Sequence, residues 1–119
     1  MAQEPITQKK EVKIDIGLNA QQLPVHIGWT APDANDTPQQ RDCKAMLLSV
    51  FDRETGETFK IDLWTKDMQV VEMDRFFFQT LRAMADTYFK ATQNAKLATD
   101  MQRFVQYFGE QTEILKKES

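Results

Sequence analysis

Around Trp64 the chain changes its hydrophobic period. Phe59, Ile61 and Leu63 alternate with Lys60, Asp62 and Trp64, the period of two that marks a strand with one buried face. From Val70 the apolar positions fall instead at Val70, Met73, Phe77, Leu81, Met84, Tyr88 and Ala91, in steps of three and four that predict an amphipathic helix. Phe78, Ala85 and Phe89 widen this stripe on one flank. An arc that broad has two surfaces to cover, a sheet beneath and a second helix alongside.

The rest of the pattern is read against this joint. Residues 1–9 are polar and contain Pro5, so they predict a mobile arm. A strand follows from Lys10, with Val12, Ile14, Ile16 and Leu18 on one face and Lys13, Asp15 and Gly17 on the other. Asn19 to Pro24 reads as a short turn. Val25, Ile27 and Trp29 then give the inner face of a second strand, with Gly28 marking a bulge or bend. Ala31 to Arg41 holds Pro32, Pro38 and several Asp, Asn and Gln residues, and predicts the longest unstructured loop. Cys43 to Asp52 is apolar on both alternating sets: Met46, Leu48 and Val50 on one, Ala45, Leu47 and Phe51 on the other. Such a run reads as a central strand buried on both sides or as a short buried helix, and the strand is preferred. Asp52 to Glu57, with Gly56, predicts the turn of a hairpin. After Thr92-Gln93-Asn94 a second helical stripe runs through Leu97, Met101, Phe104, Val105, Phe108, Thr112 and Leu115. Lys116 and Lys117 suit its C-terminal end. Phe76, Phe78 and Tyr107 sit at flank positions expected to pack in the core.

The predicted fold class is α+β: a four-stranded antiparallel sheet followed by two antiparallel C-terminal helices packed on one face, residues 10–119 forming a single domain. At 119 residues the chain has the length of one domain with one core. A composition of 41% hydrophobic and 28% charged residues is that of a globular protein rather than a disordered one. A net charge of -3, with basic and acidic residues interspersed, argues against nucleic acid. The first ten residues lack the apolar core of a secretory signal and no run reaches membrane-spanning length, so a cytoplasmic protein is expected.

Candidate chemistry is sparse. Cys43 and His26 are the only cysteine and the only histidine, too few for a structural zinc site in one subunit. As a nucleophile pair they would need a third residue to orient the imidazole, and none is evident; Cys43 reads better as a small apolar filler. Asp62, Asp67 and Asp74 are spaced unsuitably for a carboxylate cluster, and Asp67 is better placed as the helix-entry residue. The four glycines share no phosphate-binding loop. No cofactor is expected. Trp64 carries more information. By alternation it points away from the buried side with Lys60 and Asp62, and Leu47 and Phe51 of the preceding strand would add to an apolar patch in water, the mark of a contact with another chain.

The segment Ile61-Asp62-Leu63-Trp64-Thr65-Lys66-Asp67-Met68 resembles the gliding motility-associated GldC family of Bacteroidetes. It is continued by Glu72-Met73, Phe76-Phe77, Gln79-Thr80-Leu81, Met84 and Asp86-Thr87. Lys44 to Ser49 and Ala91-Thr92 agree as well, and the likeness runs from about residue 11 to 110. Gln69 stands where family members carry proline, and Phe78 where histidine occurs. The resemblance implies a soluble, non-enzymatic accessory protein of the gliding machinery, tied to type IX secretion. It carries over no binding residues. It makes the lipoprotein GldB a candidate partner by association, beside self-association into a homo-oligomer. The order of four strands and two helices is also similar to that of the export chaperone SecB, which implies a cargo-holding module as the alternative.

Overall fold

The structure is a computed structural model that describes residues 4–32 and 38–116. Its described residues are α+β, in two compact units, the first ending at Met68 and the second beginning at Gln69.

Among its described residues the first unit holds five strands in two sheets rather than four strands in one. β1 (Lys13–Leu18), β2 (Pro24–Pro32) and β3 (Pro38–Cys43) form an antiparallel sheet in the order β1-β2-β3. β4 (Ala45–Phe51) and β5 (Thr58–Trp64) form a separate antiparallel pair. Residues 4–12 have no regular structure, so β1 starts at Lys13, three residues later than the alternation suggests. Residues 1–3 of the expected arm lie outside the described residues. The expected loop from Ala31 to Arg41 is largely strand: Ala31 and Pro32 end β2, residues 33–37 lie outside the described residues, and Pro38 opens β3. A strand beginning with proline is tolerated because its first position need not donate to the ladder.

In the first sheet, Ile14 lies opposite Trp29 and Ile16 opposite Ile27, while Ile27 in turn faces Cys43. Ile27 is the anchor of this face, 1% exposed. The register slips between Gly17 and Leu18, where Gly17 pairs with His26 and Leu18 with Pro24. The bulge therefore sits there and not at Gly28. Gly28 is buried, and a Cβ on it would come within 3.1 Å of His26 Cε1, so the imidazole lies across this backbone. Asn19 closes the β1–β2 connection: its Oδ1 accepts from the backbone N–H groups of Gln21 (2.9 Å) and Leu23 (3.1 Å), and its own N–H donates to the Leu23 carbonyl.

One residue, Lys44, separates β3 from β4, and there the chain leaves one sheet for the other. Its carbonyl accepts the Thr65 backbone N–H at 2.8 Å, while Lys66 N–H reaches the Pro24 carbonyl at 3.3 Å. Thr65 is buried. Its single hydroxyl proton goes to Asp67 Oδ1 at 2.5 Å in preference to the longer approach to Lys44 O. That bond holds the Asp67 carboxyl below the usual carboxylate range. Asp67 thus braces the end of the sheet and does not cap the helix as the sequence suggests. The N-cap is Gln69, whose N–H donates to the Glu72 carboxylate at 3.0 Å.

The second unit is a helical hairpin of α1 (Val70–Thr92) and α2 (Ala95–Gln111). α1 ends on Gln93 in the left-handed region (φ 59°), with its N–H on the Phe89 carbonyl. Asn94 starts α2 by accepting the Leu97 N–H at 3.1 Å. The expected apolar stripe of α1 is not the one it buries. Phe78 and Ala85, the flank of that stripe, are buried, whereas Val70 is 80% exposed and Phe77 and Met84 are also exposed. On α2 the buried residues are Ala98, Val105 and Gly109, and Leu97, Phe104 and Tyr107 are exposed. Gly109 accounts for the shift. A Cβ there would lie 2.7 Å from Phe78 Cε1 and 2.6 Å from Leu115 Cδ1, so the Phe78 ring sinks against bare backbone. Arg82 covers the outer side of that ring, its guanidinium carbon 5.6 Å from the centroid. α2 stops at Gln111. Glu113 takes a left-handed φ of 63°, and Leu115 N–H returns to the Gly109 carbonyl at 2.9 Å. Lys116 therefore lies beyond the helix end it was expected to complete, and Lys117 lies outside the described residues.

Candidate functional site

The β4–β5 ladder decides which side chains meet. Directly opposed residues of an antiparallel pair share a face, and here Ala45 opposes Trp64, Leu47 opposes Asp62, Ser49 opposes Lys60 and Phe51 opposes Thr58. Leu47, Phe51, Lys60, Asp62 and Trp64 accordingly stand together on one face, in the grouping that alternation suggests. Trp64 is 55% exposed, Phe51 74% and Leu47 43%. Lys60 and Asp62, two residues apart on β5, pair across 3.5 Å in solvent. This ion pair adds polarity to the patch and little stability.

The other face of the hairpin departs from expectation. Met46 with Leu63, Leu48 with Ile61 and Val50 with Phe59 form an entirely apolar set. Met46 and Leu63 are half-buried, but Leu48, Val50, Phe59 and Ile61 are exposed. β4 has one ladder partner among the described residues, so it is not the doubly buried central strand its composition suggests. Its two-sided apolar character is instead displayed.

The turn that closes the hairpin is rigidly specified. Asp52 N–H donates to the Glu57 carbonyl, and the Asp52 carboxylate accepts from the N–H groups of Thr55 and Glu54 and from the Thr55 hydroxyl. These bonds, the Thr55 backbone first, lower the Asp52 pKa. Gly56 takes φ +70°, which a side chain would resist, and Phe51 Cζ sits 3.9 Å from the point its Cβ would occupy.

His26 and Cys43 do not form a pair. Cys43 lies opposite Ile27 and shares its face. His26 is one residue out of phase, on the face of Gly28 and Asp42, with Nε2 3.8 Å from Asp42 Oδ1. A half-buried thiol on one side of a sheet and an imidazole on the other cannot exchange a proton directly. Among the described residues no three His, Cys, Asp or Glu side chains converge on a point that would hold a metal ion, so Asp62, Asp67 and Asp74 remain separate. Among the described residues no helix is long and apolar enough to cross a membrane.

A feature absent from the alternation reading is a groove of about 710 Å³ lined by Phe76, Gln79, Thr80, Ala83, Met84, Thr87, Tyr88 and Ala91 of α1 and by Met101 of α2. The signal for it is in the sequence: Phe76, Thr80, Ala83, Thr87 and Ala91 recur at steps of three and four.

Searches of curated proteins and of solved structures gave no match. The model of a family described as gliding motility-associated protein GldC-like matches residues 24–114, a span from the first residue of β2 to just past α2. That span contains the whole hairpin and both helices and is well over half of the 119 residues. The chain belongs to the GldC-like family of gliding motility-associated proteins.

Proposed function

We propose that this protein is a non-enzymatic adaptor of the gliding machinery, acting through protein contacts made by the Trp64 face of the β4–β5 hairpin. The observation that supports this reading is the joint exposure of Leu47, Phe51 and Trp64 on one ladder face, with Lys60 and Asp62 among them. Aromatic and aliphatic groups held on a rigid strand, interrupted by one opposite-charge pair, have the make-up of a protein interface: apolar anchors for affinity and charges for register. The reading takes the protein to be cytoplasmic, linked to type IX secretion and of Bacteroidetes origin, with self-association and GldB as the first contacts to test. A single cysteine accords with a reducing compartment.

The experiment is capture of partners by the tagged protein from the native gliding bacterium, wild type against Trp64→Ala. The reading expects a defined gliding protein in the wild-type sample and its loss from the variant. Retention of every partner by Trp64→Ala would remove its basis.

The exposed apolar set on the other hairpin face, Leu48, Val50, Phe59 and Ile61, favours a second reading, a SecB-like module that holds unfolded cargo. It expects substoichiometric protein to suppress aggregation of unrelated unfolded clients, which an adaptor specific to one partner does not do.

A further inference from the structure

The hydrogen bonds of the β4–β5 hairpin fix which residues of β5 face its outer edge. Thr65 N–H donates to the Lys44 carbonyl and Asp52 N–H to the Glu57 carbonyl, so every second opposed pair between them exchanges backbone bonds. Phe59, Ile61 and Leu63 belong to that series and turn their N–H and C=O groups toward β4. Thr58, Lys60, Asp62 and Trp64 turn theirs the other way, where no ladder partner lies among the described residues. The bond from Lys66 to Pro24 falls beyond the strand. Side chains on both faces of β5, Phe59, Lys60, Ile61, Asp62 and Trp64, are exposed. A two-stranded ribbon is marginal by itself, and an open edge of this length is a template for another strand.

The charges on β5 select the strand that fits. A second β5 approaches antiparallel only in registers that set outward-facing residues opposite one another. Centred on Lys60, the pairing places lysine against lysine; centred on Asp62, it places aspartate against aspartate. Both are destabilising. Centred on Ile61, it places Lys60 against Asp62 twice. With the Lys60–Asp62 ion pair already present along each strand, the four charges then alternate in sign around a square. Ile61 is also the midpoint of Thr58–Trp64, so this register overlaps the whole strand. On the other face Phe59 meets Leu63, and Ile61 meets its own copy on the two-fold axis. These are non-hydrogen-bonded pairs, whose side chains approach most closely. β1 carries a similar ion pair, Lys13 with Asp15, but at its very start, so the matching register overlaps Lys13 to Asp15 alone.

We infer that β5 is a homodimerisation edge: two copies join antiparallel through β5 about a two-fold axis at Ile61, forming a continuous sheet in the order β4-β5-β5-β4 with about eight new backbone hydrogen bonds. The inference rests on the self-association in the adaptor reading and gives it a surface. Opposed residues share a face, so both Trp64 patches stand on the same side of the joined sheet.

Sedimentation equilibrium of the full chain over about 1–100 µM tests it, since an interface this small dissociates in that range. The expected result is a monomer–dimer equilibrium weakened by about 10-fold or more in Lys60→Asp and in Asp62→Lys, because each sets like charges opposite one another at two symmetric positions. An equimolar mixture of the two variants should recover the dimer, as should both exchanges made in one chain, since each restores opposite signs across the strands. Recovery on mixing excludes misfolding as the cause of the loss. In a Cys43→Ser background, with oxidised glutathione as oxidant, Ile61→Cys should form a disulfide with its own copy, the pair on the axis being within disulfide reach. Phe59→Cys should not, its copies lying about 14 Å apart along the strands, but it should link to Leu63→Cys in a mixture. A monomer throughout the range overturns the inference, as does a dimer indifferent to both charge variants, or self-linking of Phe59→Cys equal to that of Ile61→Cys. A monomer that still loses its partner in Trp64→Ala overturns this inference and leaves the adaptor reading in place. A dimer that responds as expected but keeps every partner in Trp64→Ala does the reverse.

Discussion

Gly109 shows how one missing side chain selects which face of a helix is buried. Glycine costs a helix interior about 1 kcal/mol relative to alanine. Here the absent Cβ leaves the hollow into which Phe78 and Leu115 pack. Gly109→Ala would place a methyl group within 2.8 Å of three side-chain atoms of Phe78 and Leu115. It should lower stability by about 1–3 kcal/mol despite its better helix propensity, read as a fall in the denaturation midpoint. The second residue-scale expectation concerns pH. Asp52 and Asp67 both have folded-state pKa values lowered by hydrogen bonds, to Thr55 and Thr65 respectively. A lowered folded pKa contributes stability that is complete above the unfolded value, near 3.8 for these groups, and is lost as pH falls through the folded one. The urea midpoint should therefore decline between about pH 5 and pH 2, and Asp52→Asn should flatten part of that decline.

Among the elements, the helical hairpin is fixed by its connection as much as by its contacts. Thr92 ends α1, Gln93 turns the chain through the left-handed region, and Asn94 accepts the Leu97 N–H in the first turn of α2. Asn94→Ala should cost about 1 kcal/mol, checked by thermal unfolding followed at a helical wavelength. These boundaries were legible because capping residues and the break at 92–94 are local. β1, β2, β5 and the helix spans were legible for the same reason, since each writes its period into consecutive residues. β3 was not. Pro38-Gln39-Gln40-Arg41-Asp42 has no apolar alternation, and it is a strand because β2 offers it a ladder. The five residues of the Trp64 patch were readable as one face because parity alone assigns it. The division of strands between two sheets depends on the break at Lys44, which has no signature of its own. Which helix stripe is buried was equally hidden, because it depends on Gly109, thirty-one residues away from Phe78.

For the molecule as a whole, the exposed hairpin carries the expected phenotype. Trp64→Ala should abolish partner capture and reduce colony spreading in the native bacterium, while leaving the unfolding free energy from urea titration within about 0.5 kcal/mol of wild type, as for other surface substitutions. A fall in stability as large as that of Gly109→Ala would instead mark Trp64 as a structural residue. The passage from β3 to β4 through Lys44 also constrains how the family can vary. Because that spacer is a single residue and its carbonyl is held by Thr65, the odd or even count of residues there decides which side of β4 looks outward. Inserting one amino acid would turn the whole β4–β5 ribbon over relative to β3, exchanging its Trp64 face for its Met46–Leu63 face, while the Asp52–Glu57 turn keeps Leu47, Phe51 and Trp64 together. Length at this joint, more than side-chain identity, is the quantity evolution cannot change by one.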